Sequence, residues 1–127
     1  MIAVEARLAA GDPTLTKLEL IDADLTASDA EVLAQHLTNN SVVTKLNLFV
    51  NSIGPGGARA ISKILRPSSA CLCRSVNLSF NDIREGGATA LSEALKENST
   101  VTELELAGND LSVGGAKSCR GNAAAAN

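Results

Sequence analysis

Apolar residues recur along this chain in a pattern that can be slid onto itself. The segments Leu15 to Leu25, Val43 to Ile53, Cys73 to Ile83 and Val101 to Leu111 superimpose without gaps, with starts about 28 to 30 residues apart. Each carries apolar residues at its first, fourth, sixth and eleventh places, as in Val101, Leu104, Leu106 and Leu111. The alternation between the fourth and sixth places predicts a strand with one buried face. A second pattern follows each segment, with apolar positions three and four apart. Ala30, Leu33 and Leu37, then Ala58, Ile61 and Leu65, then Ala88, Leu91 and Leu95 each make one stripe of a helix. The chain therefore reads as α/β, a stack of strand-and-helix coils. No single coil can cover its own apolar face, so each is stabilised by stacking on the next.

The register divides one domain, 1–127, into a helical cap over 1–14, repeats at 15–42, 43–72, 73–100 and 101–118, and a degraded or frayed end at 119–127. The cap is predicted as a helix from Ile2 to Ala10 that stops at Gly11 and turns Val4 and Leu8 inward. Ser28 or Asp29 is placed to cap the first repeat helix. The paired glycines at Gly56 and Gly86 predict turns of close backbone approach before the next two. Extra residues from Pro67 to Cys71 predict a bulge ahead of the third strand. At the carboxyl end Cys119 and Ala123 fall where leucines stand elsewhere, which predicts a weak cap, either because the chain continues in a longer protein or because a partner covers that end.

The ninth place holds Asn51, Asn81 and Asn109. A side-chain amide donates and accepts at once, so these predict a structural ladder that satisfies backbone groups between neighbouring coils. Ala23 takes that place in the first coil and leaves the ladder incomplete there.

The pattern LxxLxLxxNxL, a glycine turn and an AxxLxxxL helix, repeated over Leu15 to Gly115, resembles the ribonuclease-inhibitor-like subclass of leucine-rich repeats. The resemblance implies a right-handed solenoid, a short horseshoe segment with a concave parallel sheet and convex helices. Members of that subclass act almost entirely by binding proteins, which implies an interaction or scaffold module. The stretch Gly11 to Leu20 is also similar to the start of the tropomodulin repeat region, which implies an actin-capping domain as an alternative. The Ran activators in the same subclass imply another, a regulator of a small GTPase.

In such strands the third, fifth and seventh places face the concave side. They read Lys17, Glu19 and Ile21, then Lys45, Asn47 and Phe49, then Ser75, Asn77 and Ser79, then Glu103, Glu105 and Ala107. Val50 and Phe80 adjoin them at the eighth place. The expected partner-binding set is Lys17, Glu19, Ile21, Lys45, Asn47, Phe49, Val50, Asn77, Phe80, Glu103 and Glu105, because exposed apolar clusters that hold aromatics mark contact sites. The other reading has Val50 and Phe80 packing along the rim against neighbouring coils.

Composition narrows the function further. A net charge of −3 and a pI near 5.1, with scattered Lys and Arg, argue against nucleic acid. No run of 18 apolar residues and no signal-peptide order are present, so the expectation is a soluble, cytoplasmic protein with no membrane contact. Cys71, Cys73 and Cys119 fit neither a disulfide framework nor a zinc site and are expected as reduced thiols, Cys73 at a core place. His36 is the single histidine and has no partner at catalytic or ligand spacing, so it reads as a solvated helix residue. The glycines from Ile53 to Ala58 lack the Lys and Ser or Thr of a phosphate loop. The sequons at Asn39, Asn77 and Asn98 carry little without a secretion signal. No catalysis, cofactor or metal is expected. The partner is another protein, and the open ends of the stack also allow self-association.

Overall fold

The computed structural model describes residues 2–111 and 124–126. Its elements run α1 (Ile2–Ala9), β1 (Lys17–Glu19), α2 (Ala27–Leu37), β2 (Lys45–Asn47), α3 (Gly54–Ile64), β3 (Ser75–Asn77), α4 (Arg84–Leu95), β4 (Glu103–Glu105) and β5 (Ala124–Ala126). The strands form one parallel sheet in chain order. Lys17 pairs with Lys45, Lys45 with Ser75, and Ser75 with Glu103, so equal places of successive repeats sit side by side. Helix α2 packs on α3 and α3 on α4, which makes a helix layer over the sheet. Between the layers lies a core of leucine, isoleucine, valine and alanine. Leu18, Leu46, Val76 and Leu104 come from the fourth place, and Leu33, Ile61 and Leu91 from the helix stripes. The fold is a leucine-rich repeat solenoid.

Helix α1 ends one residue earlier than the spacing predicts. Gly11, at φ 66°, donates from its N–H to the Leu8 carbonyl while Asp12 donates to the Arg7 carbonyl, a paired closure that requires a left-handed residue. Leu8 is buried and Val4 partly so against the core. The Asp12 carboxylate accepts from the Thr14 hydroxyl, the Thr14 N–H and Arg7 Nε. Those Thr14 bonds, and then Arg7, hold its pKa at about 2.

Two local expectations are corrected. The residue that caps the start of α2 is Thr26, not Ser28 or Asp29. Thr26 is extended and forms a bridge with Ser52, so the helix begins directly after it. Asp29 then stands at the third helical position and its carboxylate accepts from the Thr26 N–H at 2.9 Å. The paired glycines lie inside the first turns of α3 and α4 rather than in turns before them. Close approach is still their role, because a Cβ on Gly87 would overlap Ile83 and Ala58, and one on Gly57 would overlap Ile53.

The expectations on Cys119 and Ala123 fall outside the described residues. Residues 124–126 form a fifth strand, with Glu103 paired to Ala124. The free backbone groups along the β4 edge give an extended segment partners that a helix remnant would not have.

Candidate functional site

Each strand leaves the sheet through the same device, and that device positions the exposed apolar residues. At the sixth place Leu20, Leu48 and Leu78 still donate their N–H to the next strand's fifth-place carbonyl, at 2.9 Å in each case. At the seventh place side chains interrupt the ladder, which resumes at the eighth, where Asp22, Val50 and Phe80 donate to the next coil's seventh-place carbonyls. Asn51 Nδ2 donates to the Leu20 carbonyl at 2.9 Å, Asn81 Nδ2 to the Leu48 carbonyl at 2.8 Å and Asn109 Nδ2 to the Leu78 carbonyl at 2.8 Å. Their Oδ1 atoms accept from the loop, as Asn51 does from Ala23 and Leu25 and Asn109 from Asn81 and Ile83. Ala23 is an exposed end of this row and lends it no side chain.

The freed seventh-place N–H groups are satisfied locally. Asn47 Oδ1 accepts from Phe49 N–H and Asn77 Oδ1 from Ser79 N–H. These two asparagines, expected as contact residues, thus also shape the exit of their own strands. Sequence spacing alone did not show this, although Asn at two residues before the exit was a usable signal.

The eighth place then turns left-handed in all four coils, with φ of 49° at Asp22, 56° at Val50, 57° at Phe80 and 66° at Gly108. Glycine adopts that backbone freely, whereas it strains a β-branched or bulky residue. Val50 and Phe80 take it and remain exposed, Val50 at 37% and Phe80 at 52%. Phe80 at the same time packs along the rim against both neighbouring coils. Left-handed geometry lifts the Phe80 side chain off the coil and over its neighbours. Its ring lies on Gly108, where a Cβ would collide with it. It also meets the half-buried Phe49 ring edge-on, with centroids 5.7 Å apart and planes at 81°. Ile21, 48% exposed, stands at the Phe49 place of the first coil, and Asp22 N–H donates to the Phe49 carbonyl beside it.

The remaining predicted residues spread along the sheet. Lys45 Nζ lies 3.6 Å from Glu19 Oε1, an exposed pair, with Lys17 on the neighbouring strand. Glu103 accepts from Ser75 Oγ at 3.0 Å, and Glu105 ends β4. Ser79 departs from its expectation. It is buried and its Oγ accepts from Ala107 N–H, so the seventh place faces solvent in coils one and two but not three.

Other sequence candidates have plain surroundings. His36 is half-buried at the lip of a cleft of about 390 Å³ that also touches Gly11, Gln35 and Asn39. Cys71 and Cys73 are buried free thiols with their sulfurs 2.7 Å apart. The Cys71 side chain and burial push the Cys73 thiol far up. Among the described residues no three His, Cys, Asp or Glu side chains are grouped so as to hold a metal ion, and no helix is long and apolar enough to cross a membrane.

Comparison with known proteins agrees with this geometry. No curated protein matches the chain significantly. In the solved structure of Leiomodin-1 Actin-Binding Site 2, a similar chain superimposes with a TM-score of 0.73 at 29% identity, over 82% of this chain and 60% of that one. This chain thus spans less than two thirds of that neighbour's length. The family model described as Leucine Rich repeat matches residues 39–62, 74–92 and 97–118, just over half of the sequence and the same coils that the asparagine row ties together. By that match the chain belongs to the leucine-rich repeat family, a fold that serves as a protein-interaction module.

Proposed function

We propose that this protein is a protein-binding or scaffold module that engages its partner through the solvent face of the sheet and the adjoining rim, with no reaction of its own. The observation that carries the reading is the pair Val50 and Phe80. Each sits in a left-handed backbone that disfavours its side chain and each stays exposed. Such a conformation costs on the order of 1 kcal/mol or more per residue, and both side chains stay more than a third exposed. Exposed apolar residues held at that cost, next to the aromatic contact with Phe49, support a contact surface. A helix on each of three successive coils supports placement in the ribonuclease-inhibitor-like subclass, with the cap at 1–14 and repeats at 15–42, 43–72, 73–100 and 101–118.

The test is photocrosslinking from two faces. A photoreactive amino acid at position 21, on the sheet side, is expected to capture partners from extract, while the same group at position 63, exposed on α3, captures none of them. Capture only from position 63 would place the contact on the helices and overturn the reading.

A second reading is actin, favoured by the likeness to Leiomodin-1 Actin-Binding Site 2. Sedimentation with actin filaments checks it. Enrichment in the pellet supports actin as the partner, and none at high filament concentration removes it.

A further inference from the structure

The charges around the apolar patch are lopsided, and their placement indicates what the partner presents. On the strands, the loops that leave them and the start of α4 stand the carboxylates Glu19, Asp22, Asp24, Asp82, Glu103, Glu105 and Asp110, against Lys17, Lys45 and Arg84. Elsewhere in the described residues acids and bases nearly balance, with Glu5, Asp12, Asp29, Glu31, Glu85, Glu93 and Glu97 against Arg7, Arg59, Lys63, Arg66, Arg74 and Lys96. The acidic excess therefore belongs to these segments.

Two of the three cations there are already engaged. Lys45, at the start of β2, pairs with Glu19, at the end of β1, at 3.6 Å, and Arg84 Nε lies 3.0 Å from Asp82 Oδ1. Asp22, Asp24, Glu105 and Asp110 form no salt bridge among the described residues. Their positions bracket the apolar residues. Asp22 and Asp24 are in the first coil, Phe49, Val50 and Phe80 in the second and third, and Glu105 and Asp110 in the fourth.

We infer that the partner segment is basic and apolar: an apolar or aromatic anchor seated on Phe49, Val50 and Phe80, with Lys or Arg on both sides of it facing Asp22 and Asp24 at one end and Glu105 and Asp110 at the other. This rests on the proposed contact face and adds the chemistry of its occupant. The first and fourth coils are three strand spacings apart, about 14 Å, which an extended peptide covers in about four residues. Basic groups at either end of such a stretch neutralise both flanks while the anchor removes the exposed rings from water. An acidic partner would meet an excess of like charge at both ends, offset at the Asp110 end only by Arg84, which also pairs with Asp82.

The test is fluorescence anisotropy with a labelled peptide of Leu-Phe-Leu between pairs of arginines, and a matched peptide in which glutamates replace the arginines. Two charge variants, D22N/D24N and E105Q/D110N, keep the fold, because asparagine tolerates the left-handed backbone that Asp22, Asp24 and Asp110 already adopt. The arginine peptide is expected to bind the wild type, to weaken as salt rises, and to lose roughly tenfold in affinity with both charge variants combined. Phe80→Asn should abolish its binding, and the glutamate peptide should not bind. Equal binding of both peptides, or no effect of the charge variants, overturns the charge assignment. Sedimentation of the protein alone that shows self-association lost in Phe80→Asn would instead make a second copy the occupant and overturn the proposal. Failure of the peptide arm with crosslinks from position 21 intact removes only the basic-apolar assignment, while loss of those crosslinks removes the contact face itself.

Discussion

The Phe80 ring lies so closely on Gly108 that residue 108 has no room for a side chain, and φ of 66° at that residue suits glycine independently. One neighbour thus fixes both the identity of residue 108 and the direction of the most exposed ring. Gly108→Ala should lower stability by about 1 kcal/mol from backbone strain, a few degrees in Tm. It should also displace the Phe80 ring. Thermal unfolding together with Phe80 ring chemical shifts checks both, and unchanged shifts would mean that the contact does not set the ring.

Asn81 is fully buried and its amide serves the Leu48, Leu78 and Ser79 carbonyls at 2.8, 3.2 and 3.1 Å. Each of those carbonyls keeps one other donor, from Asn51 Nδ2, Asn109 Nδ2 and Val50 N–H, so the group that Ala leaves without a partner is the buried Ile53 N–H, at about 1 to 3 kcal/mol. Denaturant unfolding of Asn81→Ala should therefore show a loss of about 1 to 3 kcal/mol. Ala23, at the same place in the first coil but exposed, should tolerate Ser or Asn with little change.

Adjacent glycines of α4 should respond in opposite directions. A Cβ on Gly86 meets nothing closer than Arg59 Nη2 at 3.5 Å, and that guanidinium can move. Alanine there gains about 0.5 to 1 kcal/mol of helix propensity. Gly87→Ala forces overlap with Ile83 and Ala58 and should cost about 1 to 3 kcal/mol by overpacking. Thermal melts of the two variants should fall on either side of wild type.

Asp12 ties the amino-terminal helix to the turn after it, and its carboxyl is held at about 2 by Thr14 and Arg7. Its folded value lies below the unfolded one, near 4. The stabilising contribution is therefore complete above about pH 4 and fades as pH falls toward 2. Amide exchange in α1 should speed up over that window in wild type, and Asp12→Asn should flatten the dependence.

The stack was legible in the sequence because burial imposes spacing. Leucines at fixed places, stripes three and four apart and the asparagine row all follow from covering apolar faces and satisfying carbonyls, and spacing alone reports those demands. The site was legible only in outline. Left-handed backbone at the eighth place is announced by Gly108, whereas Val50 and Phe80 disfavour it, so their side chains gave no sign of it. That backbone brings the eighth-place Phe80 against the seventh-place Phe49 of the preceding coil, a pairing that equal-place reasoning does not produce. The same limit hid the helix start at Thr26, where the bridge to Ser52 set the boundary rather than local propensity.

Phe80 is, on the proposed reading, exposed and strained for the sake of a partner rather than for the coil. Phe80→Asn tests this most directly, because asparagine accepts the left-handed backbone and removes the ring. Melting and partner capture are measured on the same preparation. Tm within a few degrees of wild type, with capture lost, is the predicted result. A large fall in Tm, or capture at wild-type level, would contradict it.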